Sequence, residues 1–129
     1  MTTQAPKRLC LVTYVSEGTI HIKGADRHWR ALIRAAGLPY SWWADGVPYP
    51  GEFAGAACEQ AMMVLASLGV CFAEDYKQGM DPAGQMRDMQ ERGVMKESFV
   101  AYSWDGRRSC TKVVAPPKTN VAAPGSGNA

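Results

Sequence analysis

Cys58 is the nucleophile that the sequence places best. It stands near the start of an apolar helical pattern that could begin as late as Gly55, and a helix N-terminus stabilises a thiolate. His21 or His28 would have to act as its base, which would make the protein a cysteine-dependent hydrolase or transferase. The helical wheel argues against this chemistry. Cys58 falls on the apolar side with Ala54, Ala57, Ala61 and Leu65, where a thiol is normally neutral and inert.

Arg27, Arg30 and Arg34 form the second candidate group. At helical spacing they lie within about 60° of one another, with no acidic residue three or four positions away inside that helix. Trp42 and Trp43 follow closely, in a segment held irregular by Pro39, Pro48 and Pro50. Adjacent residues of an extended chain point to opposite sides, so one tryptophan is expected in the core and the other outside. Arginine and tryptophan are the residue types most often found at binding hot spots. The principal reading is therefore a non-catalytic binding module, such as a small inhibitor or adaptor protein, that docks an acidic macromolecular partner through Arg27, Arg30, Arg34 and Trp42 or Trp43. A protein partner is expected first. The alternative is a nucleotide or nucleic acid, its phosphates on the arginines and a base on the outward tryptophan.

Other chemistry has no visible support in the sequence. There is no phosphate-binding glycine loop, His-Glu-x-x-His, nucleophile elbow or zinc pattern, so no metal or cofactor is expected. The cysteines at 10, 58, 71 and 110 match neither paired metal ligands nor a dense disulfide framework, and they read as reduced core residues. A bridge between Cys10 and Cys110 is the alternative. No apolar run approaches the length of a membrane span and no secretory segment is visible, so a cytoplasmic location is expected. The net charge of +2 hides a segregation: residues 1–40 carry six basic and two acidic groups, 41–100 four and nine, and 101–129 four and one. The ends are basic and the middle acidic.

The elements that must position these groups follow from periodicity. Alternating runs flank Glu17-Gly18 and predict a hairpin over 8–23 with Leu9, Leu11, Val15, Ile20 and Ile22 on the core face, and Tyr14 opposite His21 on the other. Asp26 caps a helix running to about Ala36, with Trp29, Leu32, Ile33 and Ala36 inward. After the aromatic loop or edge hairpin of 38–50 comes a central helix of about four turns, from Phe53 to Leu68, whose polar side holds Glu59, Gln60 and Ser67. A short strand at 70–73 leads to a third helix, capped by Asp81 before Pro82, which reads as a surface helix with Met86 and Met89 as a thin apolar stripe and pairs Arg87–Glu91 and Asp88–Arg92. Six methionines between 62 and 95 suit a core seam.

A last hairpin spans 97–114. Only a four-residue loop over 105–108 sets Phe99 against Val114 and Val100 against Val113, which leaves Arg107 and Arg108 at its tip. The chain thus reads as a single α+β domain over 1–114, with a mostly antiparallel sheet from both hairpins packed on a central helix, two further surface helices, and a Pro/Ala/Gly-rich tail over 115–129.

Overall fold

The structure, a computed structural model, describes residues 9–74, 81–104 and 109–117. Its elements are β1 (Leu11–Ser16), β2 (Thr19–Lys23), α1 (Arg27–Ala35), β3 (Gly46–Pro48), α2 (Ala56–Ser67), β4 (Cys71–Ala73), α3 (Pro82–Glu91), β5 (Phe99–Trp104) and β6 (Ser109–Val114). The strands form one sheet in the order β3-β2-β1-β4-β5-β6. Three of the five ladders are antiparallel, while β4 runs parallel to both β1 and β5. Both hairpins therefore share one sheet against the helices, as expected of the α+β class. They do not adjoin, because β4 lies between them.

The steps from β1 to β4 and from β4 to β5 run in the same direction across the sheet. Right-handed crossovers then put their helices on the same face. The core has this form: Trp29 and Ile33 of α1, Cys58, Met62 and Leu65 of α2, and Met86 and Met89 of α3 join one cluster with Val12, Ile20, Phe72 and Phe99. Phe72 and Phe99 meet edge to face at 6.0 Å between ring centroids. The opposite face carries a smaller cluster of strand residues, Cys71, Ala73 and Tyr102, with Leu11 and Val100 beside them. The methionine seam expected in the core is present, with Met62, Met86, Met89 and Met95 all buried.

The first hairpin departs from the expected face assignment. Val15 pairs with Ile20 as expected, but Val12 rather than Thr13 stands opposite Ile22, because the register shifts between Val12 and Tyr14. One extra residue in β1 changes the phase of its alternation. Cys10 and Val12 consequently enter the main core, whereas Leu11 joins the opposite cluster and Leu9 is 46% exposed. Nearer the turn the phase is the expected one. There Tyr14 and His21 stack at 4.2 Å on the face opposite Val15 and Ile20.

The helices also need correction. Ala54 has φ 62° and lies in a turn with Phe53, so α2 starts after Gly55 and is shorter than the apolar pattern suggests. Glu59, expected on the polar side, is buried and accepts from Arg92 at the end of α3. Nor is α3 a surface helix, since Pro82, Ala83, Gln85, Met86, Met89 and Gln90 are all buried. Of its expected ion pairs, Asp88–Arg92 forms at 2.7 Å, but Arg87 reaches Glu74 instead of Glu91. At the C-terminal hairpin the Phe99–Val114 and Val100–Val113 pairings are the expected ones. Arg107, Arg108, residues 75–80 and the tail beyond Pro117 lie outside the described residues. Cys10 and Cys110 belong to strand positions three ladder spacings apart, roughly 14 Å, against an upper limit of about 7 Å between the Cα atoms of a disulfide.

Glu74 ties three elements together, accepting from Arg87 of α3 and, at 3.0 Å, from Lys112 of β6 just beyond the end of β4. Burial pushes its carboxyl upward, but the hydrogen bonds and charges of Lys112 and Arg87 outweigh burial and hold it below its ordinary value of 4.5. A carboxyl depressed in the fold stabilises the protein above its unfolded pKa, and the contribution is lost as pH falls through the folded value. Glu74→Gln should lower stability by roughly 1–2 kcal/mol at neutral pH. In denaturant titrations repeated over pH, the gap between wild type and variant should close as the pH falls below the ordinary glutamate range.

Candidate functional site

The arginine helix and the tryptophan turn are brought together by the edge of the sheet. Gly46 opens β3 and lies against β2 so closely that a Cβ at this position would sit 2.0 Å from the Ile20 carbonyl oxygen. Only glycine permits that approach. Ser41 and Gly46 exchange backbone hydrogen bonds at 2.8 and 3.1 Å, and the Ser41 hydroxyl accepts from the Ala44 amide at 3.3 Å. These bonds close the loop Trp42-Trp43-Ala44-Asp45, with Asp45 in the left-handed region at φ 56°. Asparagine and aspartate are the non-glycine residues that tolerate this conformation best. The edge placement of β3 matches its Pro48, since an edge strand needs no donor on its outer side.

Inside such a turn, consecutive side chains do not alternate as they do in a strand. Trp42 is 61% and Trp43 83% exposed, so the expectation of one inward and one outward tryptophan does not hold. Their rings stack on each other at 4.3 Å with 23° between planes. The core positions that a tryptophan was expected to fill are taken by Tyr40, Val47 and Tyr49 on either side of the turn.

On α1, Asp26 caps the helix by accepting from the Trp29 amide at 3.0 Å. Arg27 and Arg34 are exposed and Arg30 is half-buried. Among the described residues none of the three forms an ion pair. Arg30 donates to the Ala25 carbonyl at 3.1 Å, just before α1, and Arg34 to the Tyr40 carbonyl at 3.4 Å, just before the turn. Each retains further donors for a ligand.

Arg30 and Trp42 line one open depression of about 380 Å³, together with Gly24, Ala25, Asp26, Tyr40 and Asp45. Arg34 reaches this region through Tyr40, whereas Arg27 and Trp43 stand outside the wall of the depression. Tyr40 and Asp45 were not among the candidates read from the sequence. The loop or edge hairpin of 38–50 was visible there, but the placement of Tyr40 and Asp45 around one depression depends on the pairing of β3 with β2. Burial pushes the Tyr40 phenol up, Asp45 adds to the rise, and Arg30 and Arg34 oppose it.

The thiol chemistry finds no matching arrangement. Cys58 is fully buried in the main core beneath Tyr49, whose hydroxyl donates to the Ser16 carbonyl. Burial pushes the Tyr49 phenol up to about 12, with hydrogen bonding to Cys58 adding to the rise. His21 occupies the other face of the sheet, stacked on Tyr14 with its Nε2 2.9 Å from the Ser16 hydroxyl, and His28 is exposed on α1. Neither is aligned as a base for Cys58. Among the described residues no three His, Cys, Asp or Glu side chains are grouped to hold a metal ion, and no helix is long and apolar enough to cross a membrane. A larger groove of about 570 Å³ near the end of α3 is lined by Gln90, Glu91, Met95, Lys96, Pro116 and Pro117, and it brings together no comparable set of aromatic and charged groups.

The chain matches no protein family model, no curated protein and no solved structure. The site is therefore read from its own geometry. A thiol in a closed core reacts only when the fold opens. Iodoacetamide followed by peptide mapping should modify Cys58 at the rate of global unfolding, and rapid labelling of the folded protein below pH 7 would restore the thiol-enzyme reading.

Proposed function

We propose that the protein is a non-catalytic binding module, of the inhibitor or adaptor kind, whose α1 face and tryptophan turn dock an acidic protein partner. The observation that carries this reading is the stacked Trp42–Trp43 pair, largely in solvent on a turn closed by its own hydrogen bonds, beside a helix whose arginines have no acidic partners among the described residues. Burying two adjacent indoles against a partner removes a large apolar area from water, and a preformed turn limits the ordering cost. Arg27 and Arg34 are exposed on α1 and supply charge for acidic groups on the partner.

A nucleotide is the weaker alternative. The free face of a tryptophan would accept a base, but Asp26 and Asp45 beside Trp42 would repel the phosphates that Arg30 would have to hold. A macromolecular surface of mixed charge fits both signs.

The test is capture from the native host with Arg27→Glu and Trp43→Ala, singly and together. Both residues are exposed and neither belongs to the core, so melting temperatures should stay within about 2 °C of wild type. Loss of a hot-spot tryptophan costs roughly 2 kcal/mol, about thirtyfold in Kd. The double variant should lose capture, and nuclease treatment should leave wild-type capture intact. Undiminished capture by the folded double variant would remove this face from consideration, and nuclease-sensitive capture would favour nucleic acid.

A further inference from the structure

The two edges of the sheet are built differently. At one edge β3 has three residues and ends on Pro48, which has no N–H to offer a further strand. At the other, β6 has six residues and no proline, and it pairs along its whole length with β5 without a register shift. No strand among the described residues pairs with its outer side, which therefore presents a row of backbone N–H and C=O groups. An apolar row runs into this edge on the face opposite the helices: Leu11 pairs with Cys71, Cys71 with Val100, and Val100 with Val113. The first three pack together there, whereas Val113 is 70% exposed. The row ends in solvent on a strand that is itself paired on one side only. The lysine of β6, Lys112, pairs with Ala101 on the helical face and is held by Glu74 at 3.0 Å.

Antiparallel pairing with a second copy of this chain completes the edge, and the residues of β6 select its register. Opposed residues of a ladder share a face, so a two-fold axis has to pass through one residue, which meets its own copy. An axis at Lys112 would set two ammonium groups opposite each other, and one at Thr111 would set Val113 against Ser109. An axis at Val114 would leave room for little pairing before Pro116. At Val113 the axis sets Val113 against Val113, Lys112 against Val114 and Thr111 against Ala115, and the ladder stops where Pro116 lacks a donor. We propose that the protein forms a two-fold dimer through β6 in this register, its two sheets joined into one. The apolar row then runs unbroken from Leu11 of one copy to Leu11 of the other. A ladder from Thr111 to Ala115 is short beside the roughly 20–30 residues a side of a standard interface, so the dimer dissociates on dilution. The pairing does not rest on the docking reading. It adds a bivalent display to it, because the tryptophan turn adjoins β3 at the far edge and stays open in both copies.

Sedimentation equilibrium over a range of protein concentrations should show a reversible shift between the mass of one chain and that of two. Val113→Lys puts like charges at the axis from an exposed position, so it should weaken the dimer about tenfold or more while circular dichroism and melting stay unchanged. The register has its own readout. In a Cys110→Ser background, Val113→Cys should form an intermolecular disulfide under mild oxidation, because the two positions are directly opposed. Thr111→Cys should not, since its copy lies four positions along the ladder, roughly 14 Å away. The mass of one chain at every concentration up to about 1 mM, an undiminished dimer in folded Val113→Lys, or crosslinking of Thr111→Cys as fast as that of Val113→Cys would each overturn the proposal. Arg27→Glu/Trp43→Ala should dimerise as the wild type does, so its loss of capture and the loss of the dimer in Val113→Lys are separate results. A dimer lost in folded Arg27→Glu/Trp43→Ala would put the self-contact on the tryptophan face and sink the β6 pairing.

Discussion

Cys71 and Phe72 carry two parallel ladders at once, one to β1 and one to β5, Ala73 extends the second, and this three-residue strand joins the two hairpins into one sheet. All three residues are buried, which makes every backbone group of β4 dependent on its neighbours for hydrogen bonds. Alternation gives Phe72 to the helical face and Cys71 with Ala73 to the other. A parallel strand needs a crossover on each side. The demand for two crossovers of one hand brings α2 and α3 to the same layer, and the apolar surface of α3 is covered as a result.

The polar contacts at the periphery secure this layer rather than create it. Arg92 spans Glu59 of α2 and Asp88 of α3, while Glu74 gathers Arg87 and Lys112 where β4 ends. Glu59 and Glu74 are mostly buried, so the loss of one cation would leave a carboxylate poorly solvated. The tryptophan turn belongs to the opposite end of the sheet and has different support. It depends on the close approach of Gly46 to β2 and on the buried tyrosines at its flanks, which leave both indoles outside. The same closure brings Asp45 and Asp26 to one depression with Arg30 and Tyr40.

Local signals in the sequence were sufficient for much of the fold. Asp26 before α1, Pro82 after Asp81, and the glycines at 37, 69 and 93, all with positive φ, marked helix ends because caps depend on nearest neighbours. The C-terminal hairpin's register was legible because only one loop length opposes its hydrophobic residues. The α+β class and the arginine face of α1 were determined in the same way, by patterns repeating within a few residues.

What remained undecided in the sequence required contacts between distant segments. Alternation cannot reveal the extra residue at Thr13, because a bulge is a property of two paired strands, so Val12 and Leu11 exchanged faces. Glu59 reads as a solvated helix residue until α3 brings Arg92 to it, and Met86 with Met89 reads as a thin stripe until two crossovers bury α3. Trp42 and Trp43 would alternate in an extended chain; the hydrogen bonds between Ser41 and Gly46 turn both outward. Tyr40, Asp26 and Asp45 share a depression only because β3 docks on β2. Neighbouring side chains determined the caps, periods and turns, whereas burial, charge pairing and the assembly of the site were decided by which surfaces the sheet order left facing one another.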